Sequence, residues 1–140
     1  MTLNAAFMIL LALFCLTLVS CQSGAPSKHQ SLKVTNAPTD AIVHIARVAQ
    51  QCWFKSGDAA FRTFKLANET NSYAGRPRFL LVKKKEPGGL PSLVVQAEQK
   101  GTTASGTYTS IETFGPLLAT SSGKRINDDV KRWSNGESDC

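Results

Sequence analysis

The hydrophobic positions change their period along the chain, and each change marks a different kind of segment. From Ala5 to Val19 the sequence is AAFMILLALFCLTLV, broken only by Thr17. This uniformly apolar stretch has the length of a signal-peptide core and falls short of the roughly 20 residues a bilayer span requires. Residues 22–38 (QSGAPSKHQSLKVTNAP) have no apolar period and are rich in Ser, Pro, Lys and Asn, the composition of a tether. Beyond them, Ile42, Ile45, Ala46, Ala49, Cys52 and Trp53 recur at spacings of three and four. That period predicts an amphipathic helix over about 40–53, with Pro38-Thr39-Asp40 supplying helix-start chemistry.

After Lys55-Ser56-Gly57-Asp58 the pattern shortens. Residues 61–67 (FRTFKLA), 78–84 (RFLLVKK) and 93–98 (LVVQAE) are runs rich in aromatic and branched side chains, separated by turn-forming stretches, and they predict consecutive antiparallel strands. Gly88 and Gly89, in the second connection, are expected to turn the chain at positive φ. A weaker strand is predicted over 106–112 (GTYTSIE), with 101–106 as a loop before it. At the end, Ile126, Val130 and Trp133 form a stripe at i, i+4 and i+7, Ser122 stands at the N-cap position and Asn135-Gly136 stops the run, so a second helix is expected over 123–134. The order predicts an α+β domain: a three- to four-stranded antiparallel meander with an N-terminal and a C-terminal helix packed on one face. The boundaries implied are 1–20 for the signal segment, 21–38 for the tether and 39–140 for the domain.

Composition sharpens this division. All 16 Lys and Arg and all 10 Asp and Glu lie after residue 20. A chain of 140 residues accommodates one small core and not two full domains.

Leu18-Val19-Ser20-Cys21 resembles the lipobox of bacterial lipoproteins, a match covering about the first 21 residues. The resemblance implies that the Cys21 thiol carries a diacylglyceryl group, that the preceding peptide is removed and that Cys21 opens the mature chain. Two or three acyl chains, at about 0.8 kcal/mol per buried CH2, hold a protein stably on a membrane. Gln22 after the cysteine implies, by the sorting pattern of enteric bacteria, a place in the outer membrane facing the periplasm. The alternative is an ordinary secretory signal with Cys21 as a thiol.

In that setting Cys15 leaves with the signal and Cys21 is capped, so Cys52 and Cys140 remain as an even pair in an oxidising compartment and are expected to form a disulfide. Two separate thiols are the rival reading; a metal pair finds no support in the spacing. The mature sequence, from Cys52-Trp53-Phe54-Lys55-Ser56-Gly57 through Gly75-Arg76-Pro77-Arg78 and Leu93-Val94-Val95-Gln96-Ala97-Glu98 to Arg132-Trp133 and Cys140, is similar to short lipoproteins of alphaproteobacteria. That similarity brings no activity and transfers no site.

Charge points to a candidate surface. Between residues 62 and 85 stand Arg62, Lys65, Arg76, Arg78, Lys83, Lys84 and Lys85 against Glu69 alone, and the other mature residues balance. The formal net charge of +6 therefore sits on one predicted hairpin. Arg76, Arg78, Lys83, Lys84 and Lys85 are the candidate residues for an anionic partner, either an envelope polymer or an acidic protein; the competing reading is a solvated face that protects a sheet edge. Nucleic acid is not expected, because export separates the protein from it.

For catalysis the sequence offers little. It lacks the zinc-protease, nucleophile-elbow, phosphate-loop and dinucleotide fingerprints, so no catalytic residue, metal or cofactor is expected. Asp40 and His44 stand four apart on the first helix and are taken as a surface pair. Asp128 and Asp129 are taken as solvated charges near the start of the second helix. The functional expectation is a lipid-anchored, non-catalytic binding or accessory module; the alternatives are an inhibitor or subunit docking on an acidic envelope protein, and a small periplasmic hydrolase.

Overall fold

The computed structural model describes residues 29–71 and 74–140. Cys21 and the segments before it lie outside the described residues. The architecture is α+β: a five-stranded antiparallel sheet with two α-helices. In chain order the elements are β1 (Gln30–Val34), α1 (Pro38–Ala49), β2 (Phe64–Glu69), β3 (Arg78–Lys83), β4 (Leu93–Thr102), β5 (Gly106–Phe114) and α2 (Gly123–Ser134). The sheet order is β1-β5-β4-β3-β2, so β2 to β5 form the expected meander while β1 and β2 are the two edges.

The strand count corrects the three to four expected, and the extra strand corrects the tether. Gln30–Val34 pairs with β5, Leu32 opposite Ile111 and Val34 opposite Thr109. Its alternation is carried by two apolar residues, Leu32 and Val34, set among Ser, Lys and Gln, too thin a pattern to stand out from a linker. As an edge strand it needs only one half-covered face, and Leu32 and Val34 pack against the core from there. Gln30–Val34 is therefore part of the sheet, although it falls inside the segment expected to be a tether.

The first helix also runs beyond its predicted end. Pro38 occupies its first turn, where the missing N–H costs nothing. Ala41, Ile42, Ile45, Ala46, Val48 and Ala49 are buried. The helix then continues as a π-helix over Gln50–Lys55, with Ser56 N donating to Gln51 O at 3.1 Å. The wider turn sends Cys52 and Trp53 inward. A short 3-10 turn at Ala59–Phe61 follows, where the strand expected at 61–67 has its first residues. Phe61 packs there instead, fully buried.

The weak last strand is nine residues long and its partner β4 is ten. The expected loop from Gly101 to Gly106 is a tight hairpin in which Thr102 faces Gly106. Gly101 takes φ +91, and a Cβ there would stand 2.1 Å from the Gly106 carbonyl oxygen, so only glycine fits. Gly88 and Gly89, by contrast, are not among the positive-φ glycines. Ser122 precedes α2 as expected but makes no side-chain cap; its carbonyl accepts the Ile126 N–H at 2.9 Å.

Both helices lie on one face of the sheet: α1 packs on β4, with contacts to β3 and β5, and α2 touches β1 and β5. Register puts Phe79, Val95 and Thr113 in one row of that face and Leu32, Ile111 and Ala97 in the next. At the centre Trp53 stacks on Phe61 with ring centroids 4.6 Å apart and meets Trp133 at 5.1 Å and Phe79 at 6.5 Å. All four rings are fully buried, and buried aromatic surface of this size dominates a small core. On the opposite face Leu80, Val82 and Val94 form a smaller cluster with Ala67 and Phe114.

The C-terminal tail is tied to this core. Cys52 and Cys140 are joined as a disulfide with Cα atoms 5.2 Å apart. Trp133 Nε1 donates to the Asp139 carbonyl at 3.0 Å, and His44 Nε2 lies 3.0 Å from the Glu137 carbonyl. His44 thus serves the tail rather than pairing with Asp40, its other ring nitrogen lying 3.3 Å from Arg47 Nη2.

Candidate binding site

Three of the five cations assigned to the candidate surface are matched within the protein. Arg76 lies 3.2 Å from Glu98, Arg78 lies 2.6 Å from Glu69, and Lys83 lies 3.4 Å from Glu86. The pairing follows from the sheet: Glu69 on β2 faces Arg78 across the ladder, and Glu98, on β4, lies on the far side of β3 from β2. A count confined to residues 62–85 could not include Glu98 or Glu86. The Glu98 carboxyl is held below the ordinary range, first by a hydrogen bond from Lys100 and further by Arg76. Arg76, Arg78 and Lys83 therefore each face a carboxylate of the protein, Glu98 being shared with Lys100, while Lys84 and Lys85 have no ion pair among the described residues.

The unmatched cations gather elsewhere. Two adjoining depressions run along β2, the sheet edge nearest the π-helix. One, of about 740 Å³, is lined by Val43, Ala46, Arg47, Gln50, Lys55 and Asn68 among others. The second, of about 370 Å³, is lined by Phe54, Phe61, Phe64, Arg62, Lys65 and Lys84, with Gln50 shared between the two. Lys55, Arg62, Lys65 and Lys84 have no ion pair among the described residues, and Arg47 Nη2 lies 3.3 Å from the His44 ring rather than beside a carboxylate. Among the described residues, the remaining cations without a carboxylate partner are Lys33, which lies 4.7 Å above the Tyr108 ring, and Lys85 and Lys131.

The acid that lines this groove, Asp58, is already engaged. Its carboxylate accepts the Ala60 N–H at 2.9 Å and pairs with Arg125. These hold it below the ordinary carboxylate range, the Ala60 bond most strongly, against the opposing effect of burial. Comparison with family models, curated proteins and solved structures gives no match. What the groove offers is thus read from its own chemistry: an aromatic floor, an unpaired sheet edge and a rim of free positive charge.

Asp129 departs from its expected role. It is buried, accepts the Trp53 indole N–H at 2.9 Å and receives Arg132 at 2.7 Å, with Arg125 at 3.6 Å. Asp128 does face solvent, where it pairs with Lys124 at 2.6 Å. Adjacent helical positions diverge by about 100°, so one aspartate reaches the core and the other does not. With every oxygen of Asp58 and Asp129 engaged by donors, these two acids act as structural anchors of the aromatic cluster.

Among the described residues, no group of three or more His, Cys, Asp or Glu is placed to hold a metal ion, and no helix is long and apolar enough to cross a membrane. Sequence reasoning included Arg62 and Lys65 in the charge excess without assigning them to the site, and it missed Arg47 and Lys55. The signal needed was the identity of the edge strand, which depends on where β1 pairs.

Proposed function

We propose that this chain is a lipid-anchored protein of the cell envelope, held through acyl chains on Cys21 and facing the periplasm from the outer membrane. In this reading it acts as a non-catalytic binding module for an anionic partner. The lipobox match at Leu18-Val19-Ser20-Cys21 and the Gln22 after it support the location. The disulfide between Cys52 and Cys140 is consistent with an oxidising compartment.

The observation that carries the binding reading is the separation of paired from unpaired cations. Arg76, Arg78 and Lys83 spend their charge on Glu98, Glu69 and Glu86, whereas Arg62, Lys65 and Lys84 border one concavity with no carboxylate of their own. Free cations beside an apolar cleft attract anions over about one Debye length, 8–10 Å at physiological salt. The engaged state of Asp58 and Asp129 favours binding over hydrolysis.

Two variants of the full-length protein test this. Arg62→Gln/Lys65→Gln/Lys84→Gln is expected to weaken co-sedimentation with the anionic envelope fraction, while Arg76→Gln/Arg78→Gln/Lys83→Gln, with the same change in charge, is expected to weaken it far less. Equal losses from both would show that only overall charge matters. For the anchor, Cys21→Ser is expected to release the protein from membranes, and the wild type to carry acyl mass on Cys21. Membrane association that survives in the serine variant, with no acyl mass on the wild type, would refute it.

A further inference from the structure

The backbone of β2 adds a second kind of recognition to this groove. Lys84 N donates to Thr63 O at 2.9 Å, and the β2–β3 register pairs Phe64 with Lys83, Lys65 with Val82 and Leu66 with Leu81. In an antiparallel ladder, hydrogen-bonded and non-hydrogen-bonded pairs alternate. Residues 63, 65, 67 and 69 therefore bond to β3, and the N–H and C=O groups of Phe64, Leu66 and Asn68 point outward from the sheet edge. The neighbour on the other side of β3 agrees, since Ala97 N donates to Pro77 O at 2.9 Å, leaving 78, 80 and 82 for β2.

Because side chains and backbone groups share a period of two, Phe64, Leu66 and Asn68 also aim their side chains to the helix face, where the groove lies. Lys65, between them, points to the other face with Val82 and Ala67's row. β2 has no proline, and its outward groups are not closed off by another strand. Natural edges usually carry lysine to discourage pairing. Here the lysine stands among several unmatched cations, which repel a basic strand and attract an acidic one.

We propose that the β2 edge takes up an extended acidic polypeptide segment as a sixth strand. Residues of the segment that bond to Phe64, Leu66 and Asn68 would turn their side chains into the groove, apolar ones onto the half-buried Phe54 and Phe64. The alternate residues would face Lys65, and carboxylates there and at the segment's ends would meet Lys65, Arg62 and Lys84. An added strand lies about 4.8 Å from its neighbour, and main-chain bonds supply affinity while side-chain pockets supply selectivity. This deepens the binding reading above and rests on it, committing the anionic partner to a protein.

The test uses the full-length protein in detergent micelles and a fluorescein-labelled heptapeptide of alternating valine and glutamate, followed by anisotropy. Saturable binding is expected, with the amides of Phe64, Leu66 and Asn68 gaining protection from hydrogen exchange. Methylating the valine nitrogens of the peptide, which leaves every charge in place, is expected to weaken it by about tenfold or more, as loss of main-chain hydrogen bonds requires. Asn68→Pro, which removes one outward donor and no ladder bond, and Arg62→Gln/Lys65→Gln/Lys84→Gln are each expected to weaken it as well. Equal binding of the methylated and unmethylated peptides would overturn strand addition. If the peptide fails but hyaluronate, an acidic polysaccharide, binds in a manner sensitive to Arg62, Lys65 and Lys84, strand addition falls and the anionic-partner reading stands. If neither probe binds, both fall.

Discussion

Replacing Asp129 with alanine removes the acceptor for an indole N–H that has no access to water. Trp53 is fully buried, and its 2.9 Å bond to Asp129 is the one its nitrogen makes. A hydrogen bond to a charged acceptor contributes about 1.5–3 kcal/mol, and stranding a buried donor costs about 1–3 kcal/mol. Arg132 and Arg125 also lose a partner, but their side chains are 34% and 47% exposed and rehydrate, so they add little. Releasing the desolvated carboxylate offsets part of the loss, so Asp129→Ala is expected to destabilise by about 2–3 kcal/mol. For a domain of this size that is a fall in Tm on the order of 10 °C. Urea unfolding followed by tryptophan fluorescence measures it, and Asp129→Asn, which keeps an oxygen for the indole, should lose about half as much. In a Trp53→Phe background the alanine change should cost less than about 1 kcal/mol, because the stranded donor is gone. A loss below about 0.5 kcal/mol in the wild-type background would refute the anchoring role.

Further outcomes follow from other contacts. The 88-residue separation closed by Cys52 and Cys140 predicts a loss of about 4–5 kcal/mol for Cys52→Ala/Cys140→Ala in the chain-entropy model, read as a lower urea midpoint; an unchanged midpoint would contradict it. Asp58 has a depressed folded-state pKa, caused first by the Ala60 N–H and then by Arg125. Its stabilisation is therefore present above about pH 4, the ordinary carboxylate range, and is lost as pH falls through the folded-state value. The stability gap between wild type and Asp58→Asn should accordingly shrink from pH 7 to pH 3, and a gap that widens would contradict this. Gly101→Ala should cost more than about 1 kcal/mol, since it combines positive φ with a 2.1 Å approach to the Gly106 carbonyl. Gly88→Ala, with open space around it, should be close to neutral by the same melting assay.

The helices and the meander were legible because their periods are local. Ile126, Val130 and Trp133 mark α2 to within the structure's own bounds, and the apolar runs mark β3 and β4. What escaped was decided by pairing. Leu32 and Val34 become a strand only because β5 offers a free edge beside them, and the π-turn at Gln50–Lys55, where Cys52 and Trp53 are buried, leaves the three-and-four apolar spacing of a plain α-helix in the sequence. The same limit applied to the site. The charge excess on residues 62–85 was visible as a sum, but which cations stay free depends on acids brought across the sheet, Glu98 beside Arg76 being the clearest case. Asp129 looked like its neighbour Asp128 until the rotation of the helix set it against the Trp53 nitrogen.

The direct measure of the central claim is lysine reactivity in place. Native envelope preparations and detergent-extracted protein would be treated with the same amine-acetylating reagent, and the extent of modification at each lysine compared by mass spectrometry. Protection in the envelope is predicted at Lys55 and Lys84, which line the groove, and at Lys65, which lies on the same edge strand and faces the added strand from the other side, with little change at Lys131, exposed on α2. Equal reactivity at all four lysines in both preparations would contradict the claim that the β2 groove is the occupied surface.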